Sequence, residues 1–376
     1  MPFGIYVHVP FCASRCGYCD FNTYTATELG TSVTRDTFHE VLIDEIRHAR
    51  SIAGDREVDT VFFGGGTPTL LEADALNEIL AAIREGFGLT VGAEVTTEAN
   101  PDSVDAAKLA ALREGGFTRI SLGMQSSASN VLQVLERTHT PGSSSAMARA
   151  AREAGFEHVT LDLIYGTPGE SDDDLRRSLD EVLDAGVDHV SAYSLIVEQG
   201  TPLARKVARG EIAEPDDDIA AARYEIVDSS LRGAGFDWYE VSNWAKPGGE
   251  CRHNLAYWRN TDWWGIGPGA HSHIAGERWW NHKHPATYAE ALGQSASPAA
   301  DREVLTAEQM QTEAVMLGVR LAEGMPASAI PTESRTAAAA LVGRGLLDGE
   351  ALLAGRVKLT DSGRLLADGV VRELLG

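Results

Sequence analysis

Short apolar runs rich in β-branched residues recur along the first half of the chain, and each is followed by a longer stretch with apolar residues at helical spacing. The runs predict strands over Ile5–Val9, Asp59–Phe63, Ala93–Glu98, Arg119–Met124, His158–Ile164 and His189–Val197. The stretches between them predict helices over Thr37–Ala53, Ala73–Glu85, Val104–Glu114, Ser145–Ala154 and Asp173–Ala185. A glycine followed by an apolar residue closes several of these helices: Gly86-Phe87, Gly116-Phe117, Gly155-Phe156 and Gly186-Val187. Six strand–helix units ask for a parallel sheet with helices outside it, and they fall short of the eight of a closed barrel. The expected fold is α/β, a partial, open (β/α)6 barrel.

The pattern changes after a further helix over Asp217–Gly233. Residues 236–300 are rich in aromatics and read as a connecting region, and Ser295–Asp301, rich in Ala, Ser and Pro, reads as a boundary. Beyond it come an amphipathic helix over Glu308–Arg320, a second helix ending at Leu341-Val-Gly-Arg-Gly-Leu-Leu-Asp348, and a short strand with a last helix from Arg356. Helices followed by a small β wing predict a winged-helix-like C-terminal domain. The expected division is a barrel over 1–235, the connecting region over 236–300 and the small domain over 301–376.

Charge and composition narrow the function. The 376 residues carry a formal net charge of -23, with 55 Asp and Glu against 32 Lys and Arg. Such a surface repels nucleic acid and anionic lipid, and the C-terminal domain shows no basic recognition helix, so neither is expected as a partner. No apolar run approaches the ~20 residues that span a bilayer. The chain enters its first strand at once, which leaves no room for a leader and points to the cytoplasm.

The unusual residues cluster where the expected strands end, the side on which parallel sheets bind ligands. Three of the four cysteines follow strand one in His8-Val-Pro-Phe-Cys12-Ala-Ser-Arg-Cys16-Gly-Tyr18-Cys19. That spacing is too crowded for disulfides and suits a metal. Three thiolates fit a [4Fe–4S] cluster with one open iron, or a structural zinc site completed by His8 or Cys251. Gly64-Gly65-Gly66-Thr67-Pro68 follows strand two, Glu98-Ala-Asn100-Pro101 ends strand three, Gln125-Ser126 ends strand four, and Asp162 lies on strand five. Consecutive glycines let a backbone approach a ligand closely. Arg137, on the helix after strand four, is either a carboxylate partner or part of a solvated helix face.

These motifs, in this order, resemble the radical S-adenosylmethionine (SAM) superfamily. The resemblance rests on Cys12-x3-Cys16-x-Tyr18-Cys19 first, then on Tyr6-x-His8-x-Pro10-Phe11, Gly64-Gly-Gly-Thr-Pro68, Glu98-Ala-Asn-Pro101, Gly123-Met-Gln125-Ser126, Arg137-x-His139 and Leu161-Asp162-Leu-Ile-Tyr-Gly166. Within the superfamily they resemble the coproporphyrinogen-dehydrogenase-like branch. The resemblance implies a [4Fe–4S] cluster on Cys12, Cys16 and Cys19, whose open iron chelates SAM and passes it one electron. It further implies SAM contacts from Tyr6, Gly65, Gly66, Thr67, Glu98, Gln125, Arg137 and Asp162, shared between one or two SAM molecules. Two positions depart from the branch's pattern: Glu136 stands where a glycine is usual, and Ser127 where an aromatic is usual.

Further along, His253-Asn254-x2-Tyr257-Trp258 and Gly265-Ile-Gly-Pro-Gly-Ala-His271-Ser resemble the HemW-type haem chaperones. In that family the first motif is associated with haem, which makes His253 the candidate ligand; Cys251, His271 and His273 are competitors. Unaided, a histidine among tryptophans is equally an interior residue. Two functions follow from the resemblance. One is a haem chaperone with cluster, SAM and haem, which delivers haem to respiratory or iron-storage haemoproteins and is compatible with a homodimer. The other is an oxygen-independent coproporphyrinogen III dehydrogenase acting through a 5′-deoxyadenosyl radical. The intact HNxxYW motif, Phe21 where the dehydrogenases have another cysteine, and the short segment before Cys12 favour the chaperone.

Overall fold

The computed structural model describes residues 2–29 and 33–376. All six expected strands are present: β1 (Phe3–Val9), β2 (Val58–Gly65), β3 (Leu89–Ala99), β4 (Arg119–Gln125), β5 (His158–Tyr165) and β6 (His189–Ser194). They pair in parallel and in chain order. Their side chains alternate as strand geometry requires. Ile5, Val61, Val95, Ile120, Leu161 and Val190 are buried against the surrounding helices. The intervening Tyr6, Phe62, Thr96, Ser121, Asp162 and Ser191 line an internal cavity. The sheet is thus apolar outside and polar inside.

The helices run over Phe38–Ala53, Ala73–Phe87, Ala106–Gly115, Ser143–Glu153 and Asp172–Asp184. Gly116 caps one of them in the left-handed region at φ 111°. Gly86 does not act as a cap: its helix continues through Phe87, a buried residue of the inner face, and Gly88 at φ 77° ends it. The apolar position expected after the helix is its last inward-facing turn.

The sheet is also wider than expected. The aromatic region supplies β7 (Asp237–Glu240), β8 (Asn243–Ala245), β9 (Asp262–Ile266), β10 (His271–Ile274) and β11 (Glu277–Asn281). With β12 (Ala299–Val304) the twelve strands run in the order β12-β11-β10-β9-β1-β2-β3-β4-β5-β6-β8-β7. β9 is parallel to β1, whereas β10, β11 and β12 follow as antiparallel neighbours. The Ala-Ser-Pro stretch expected as a boundary therefore passes directly into an edge strand, whose solvent-facing residues carry little apolar signal. The barrel stays open, since β12 and β7 end the sheet.

A second, smaller core gathers Val315, Val319, Leu341, Val357, Val370 and Leu374 around a short antiparallel pair, Met325–Pro326 with Arg356–Val357. It docks on the barrel through Arg364, which is buried, pairs with Asp228 at 3.1 Å and lies over the Trp238 ring at 4.5 Å. No helix among the described residues is long and apolar enough to cross a membrane.

Candidate functional site

A cavity of about 500 Å³ opens at the carboxyl ends of β1–β6 and runs down inside the barrel. Its wall includes Cys12, Cys16, Cys19, Tyr6, Gly65, Gly66, Thr67, Glu98, Gln125, Arg137, Asp162 and His253. The structure thus brings together the three cysteines, the eight residues assigned to SAM and His253. Exposed Phe21, Tyr193 and Ile196 stand at its mouth.

The cysteine loop is held against the end of β2. Gly66 N donates to the Val9 carbonyl at 2.8 Å and Thr67 N to the Phe11 carbonyl at 2.7 Å. This closeness explains the glycines better than ligand approach does. A Cβ on Gly65 would lie 2.6 Å from the His8 ring, and one on Gly66 2.4 Å from the Phe11 carbonyl oxygen. Asn22, just past the cysteines, donates to the carbonyls of Pro268 (3.0 Å) and Lys283 (2.8 Å), tying the loop to the sheet's extension.

Cys12, Cys16 and Cys19 are free and half-buried, and burial pushes the Cys19 thiol up to about 11. Among the described residues no three His, Cys, Asp or Glu side chains converge on a single-ion position. A cubane makes a different demand, one thiolate on each of three irons, and three thiols of one loop on one cavity wall meet it. Arg137 is neither helical nor solvated: its helix ends at Val134, and its Nη1 donates to Cys16 Sγ at 3.3 Å. Its Nη2 donates to Asn100 Oδ1 at 2.9 Å. A cation there suits the negative charge of a thiolate cluster.

Above the loop, two buried carboxyls make no ion pair among the described residues, Arg137 acting on Asp162 only from a distance. Burial, and then the neighbouring Asp162, push Glu98 up to about 8; burial pushes Asp162 up to about 6, opposed by hydrogen bonds from Ser191 and Ser121. Glu98 accepts from Gly65 N at 3.2 Å, and Asp162 from Ser121 Oγ at 3.0 Å. Gln125 Oε1 and Arg137 Nε are buried without partners. Gln125 itself sits at φ 59°, a strained conformation of the kind that persists at functional sites. A pocket with starved carboxyls and orphaned polar atoms is built for a polar cation, and SAM, with its sulfonium and ammonium groups, fits.

At the closed end the helix Arg252–Trp258 plugs the barrel. His253 is buried, with Nδ1 at 2.8 Å from Thr60 Oγ1 and Nε2 at 3.0 Å from Tyr257 Oη. Its ring stacks on Phe62 at 5.3 Å, and burial pushes it down to about 4. Two residues that the motifs did not reveal hold this helix. Glu94 on β3 accepts from the backbone N–H groups of Arg252 (3.2 Å) and His253 (3.0 Å), and from the Arg119 guanidinium at 3.1 Å. The signal was present in β4, whose seven residues are all buried although the first is an arginine.

His271 and His273 lie on β10, off the cavity wall. His273 is buried with both ring nitrogens unpartnered, whereas His271 is exposed.

The comparisons agree with this geometry. The family model of the radical SAM superfamily matches residues 6–182. A protein of Mycobacterium tuberculosis named "Heme chaperone HemW" is 55% identical, over 100% of this chain and 95% of its own length. Its namesake in Bacillus subtilis is 35% identical over 85% of this chain and 84% of its own. The solved structure of coproporphyrinogen III oxidase (HemN) from Escherichia coli, a radical SAM enzyme, shares the fold with a TM-score of 0.85. It covers 99% of this chain and 90% of that one at 23% identity. By fold, motif order and whole-length identity the chain belongs to the HemW family of the radical SAM superfamily.

Proposed function

We propose that the protein is a haem chaperone, which binds a [4Fe–4S] cluster, SAM and haem and delivers haem to acceptor haemoproteins in the cytoplasm. The observation that carries this reading is whole-length identity of 55% to a relative bearing that name, joined to a cavity that gathers the three cysteines, the residues assigned to SAM and His253. Cys12, Cys16 and Cys19 hold the cluster, and Arg137 stands beside Cys16 to balance its charge. Tyr6, Gly65, Gly66, Thr67, Glu98, Gln125, Arg137 and Asp162 surround SAM. When bound, the cluster supplies one-electron transfer to SAM at its open iron. The residues' part is placement: Glu98 and Asp162 meet positive charge, and Ser121 orients Asp162.

His253 remains the ligand that its motif nominates, and it reaches haem iron only if Tyr257 releases Nε2. Respiratory or iron-storage haemoproteins are the proposed acceptors, a homodimer is compatible with the reading, and residues 301–376 form the proposed C-terminal module. The acidic surface, with 55 Asp and Glu, argues against nucleic acid as a partner.

The test is anaerobic incubation of the cluster-loaded protein with SAM, a low-potential reductant and coproporphyrinogen III. No protoporphyrinogen, from protein that binds haem, is the expected result; catalytic product would replace the chaperone by the dehydrogenase. Changing Cys12, Cys16 and Cys19 to Ala should abolish the iron–sulfur absorbance, and a full cluster retained in the triple variant would refute the cluster assignment.

A further inference from the structure

Asn100, directly after β3, carries an amide that the cluster and SAM assignments leave without a role. Its backbone is anchored, since the Asn100 carbonyl accepts from Ser103 N at 3.0 Å and from Ser103 Oγ at 2.7 Å. The amide spans two neighbours. Its Oδ1 accepts from Arg137 Nη2 at 2.9 Å, and its Nδ2 donates to Thr67 Oγ1 at 3.0 Å. Only one orientation of the amide does both, because a guanidinium can only donate. The Thr67 oxygen is then an acceptor, and its own hydroxyl proton is left to give elsewhere.

Both neighbours reach cysteines of the loop. Arg137 Nη1 donates to Cys16 Sγ at 3.3 Å. Burial raises the Cys12 thiol, and the hydroxyls of Thr23 and Thr67 oppose it by hydrogen bonding. Cys12 lies against this segment, since a Cβ on Gly66 would meet its sulfur at 3.1 Å. A chain of polar contacts thus runs from Cys12 through Thr67, Asn100 and Arg137 to Cys16. Gly123 leaves room for its centre: a Cβ there would lie 2.9 Å from Arg137 Nη2. Cys19 stands outside the chain, with the Phe21 backbone N–H as its donor. Cys16, Thr67, Asn100 and Arg137 also line a second cavity of about 90 Å³, so the chain is a wall shared by two cavities.

We propose that Asn100 is a positioning residue for the iron–sulfur cluster: its amide holds Arg137 on Cys16 and turns the Thr67 hydroxyl to Cys12, and so sets the cluster's redox poise. The proposal rests on the cluster assignment made above. One-electron reduction adds a unit of negative charge to the cluster, and donors and cations at its sulfurs favour that state. Without the amide, nothing but Cys16 among the described residues orients the guanidinium.

The experiment is an anaerobic redox titration of the cluster-loaded protein, followed by its iron–sulfur absorbance, with SAM affinity measured beside it. Asn100→Leu, similar in size and without polar atoms, should lower the midpoint. At the potential where the wild-type cluster is half reduced, its ratio of reduced to oxidised form should fall about tenfold, which is about 59 mV for one electron. Thr67→Val should lower that ratio about threefold, the scale of one neutral hydrogen bond, and Thr67→Ser should restore it. In an Arg137→Leu background Asn100→Leu should add less than it does alone, since the amide acts through that guanidinium. A wild-type midpoint in Asn100→Leu overturns the proposal, and weaker SAM binding in that variant would then make Asn100 a SAM contact. If Asn100→Leu holds no cluster, Thr67→Val carries the test, and an unchanged midpoint there overturns the proposal as well. Wild-type protein that takes up no cluster refutes the cluster assignment itself.

Discussion

Glu94 and Glu98 lie on the same strand, face the same lumen and meet opposite fates. Burial raises both, but at Glu94 the Arg119 guanidinium and two backbone N–H groups more than offset it, and the carboxyl stays below its ordinary value. Glu98 has a single backbone donor and a carboxylate neighbour, and it is pushed up to about 8. At the closed end the carboxyl is therefore paired without a ligand, although Arg119 Nη1 and His189 Nδ1 stay unpartnered there. The open end is unfinished, with charge and hydrogen-bonding capacity in reserve. Two ends of one polar lumen divide into a structural floor and a receptive rim.

Removing the floor's cation should have the largest effect. Arg119→Ala leaves Glu94 buried and unpaired and frees the carbonyls of Gly249 and Glu250, which Arg119 Nη2 binds at 3.0 Å. Breaking one side of such a pair costs about 3–5 kcal/mol. Denaturant unfolding should show that loss. A change below about 1 kcal/mol would mean that the floor is no more structural than the rim.

At the rim the same kind of change should act in the opposite direction. Because the folded-state value of Glu98 lies above that of a free carboxyl, its acid form favours the fold. That contribution is complete below the unfolded value of 4.5 and is lost as pH rises through about 8. Glu98→Gln should therefore flatten the pH dependence between those limits and stabilise the ligand-free chain by up to about 3 kcal/mol at pH 7. The same variant should bind SAM about tenfold to hundredfold more weakly, since a charged hydrogen bond is lost. Stability gained with affinity lost marks a receptive group; losing both would class Glu98 with Glu94.

The contrast also shows how much could be read from the chain. The barrel strands were legible because their outward faces are runs of β-branched and aliphatic residues, as in Val159, Leu161 and Leu163. β7 to β12 were not, since they are only three to six residues long, and the edge strand β12 exposes Asp301, Arg302 and Glu303. The rim residues were found through motif order, because a single Glu98 or Asp162 looks like any surface acid. Glu94 and Arg119 escaped because their pairing joins neighbouring strands 25 residues apart, with the helix start at Arg252 as a third party. Arg137 was placed on a helix because nothing local shows that the helix stops at Val134.

The smallest expected effect concerns the backbone of the rim. Two of its non-glycine residues adopt left-handed conformations, Gln125 at φ 59° and Glu136 at φ 55°. Glu136 stands where the motif pattern leads one to expect glycine, and its left-handed conformation supplies a reason, since glycine takes it without strain. Here the glutamate side chain packs over Gly17 and pairs with Lys206. Relief of a left-handed residue is worth about 1–2 kcal/mol. A half-exposed ion pair returns about 0–1 kcal/mol. Glu136→Gly should therefore leave stability unchanged or raise it by about 1 kcal/mol, read as a small upward shift in Tm. Lys206→Ala made in that background should then have no further effect. A fall in Tm would show that the Lys206 pair, and not the backbone, fixes the turn that delivers Arg137 to Cys16.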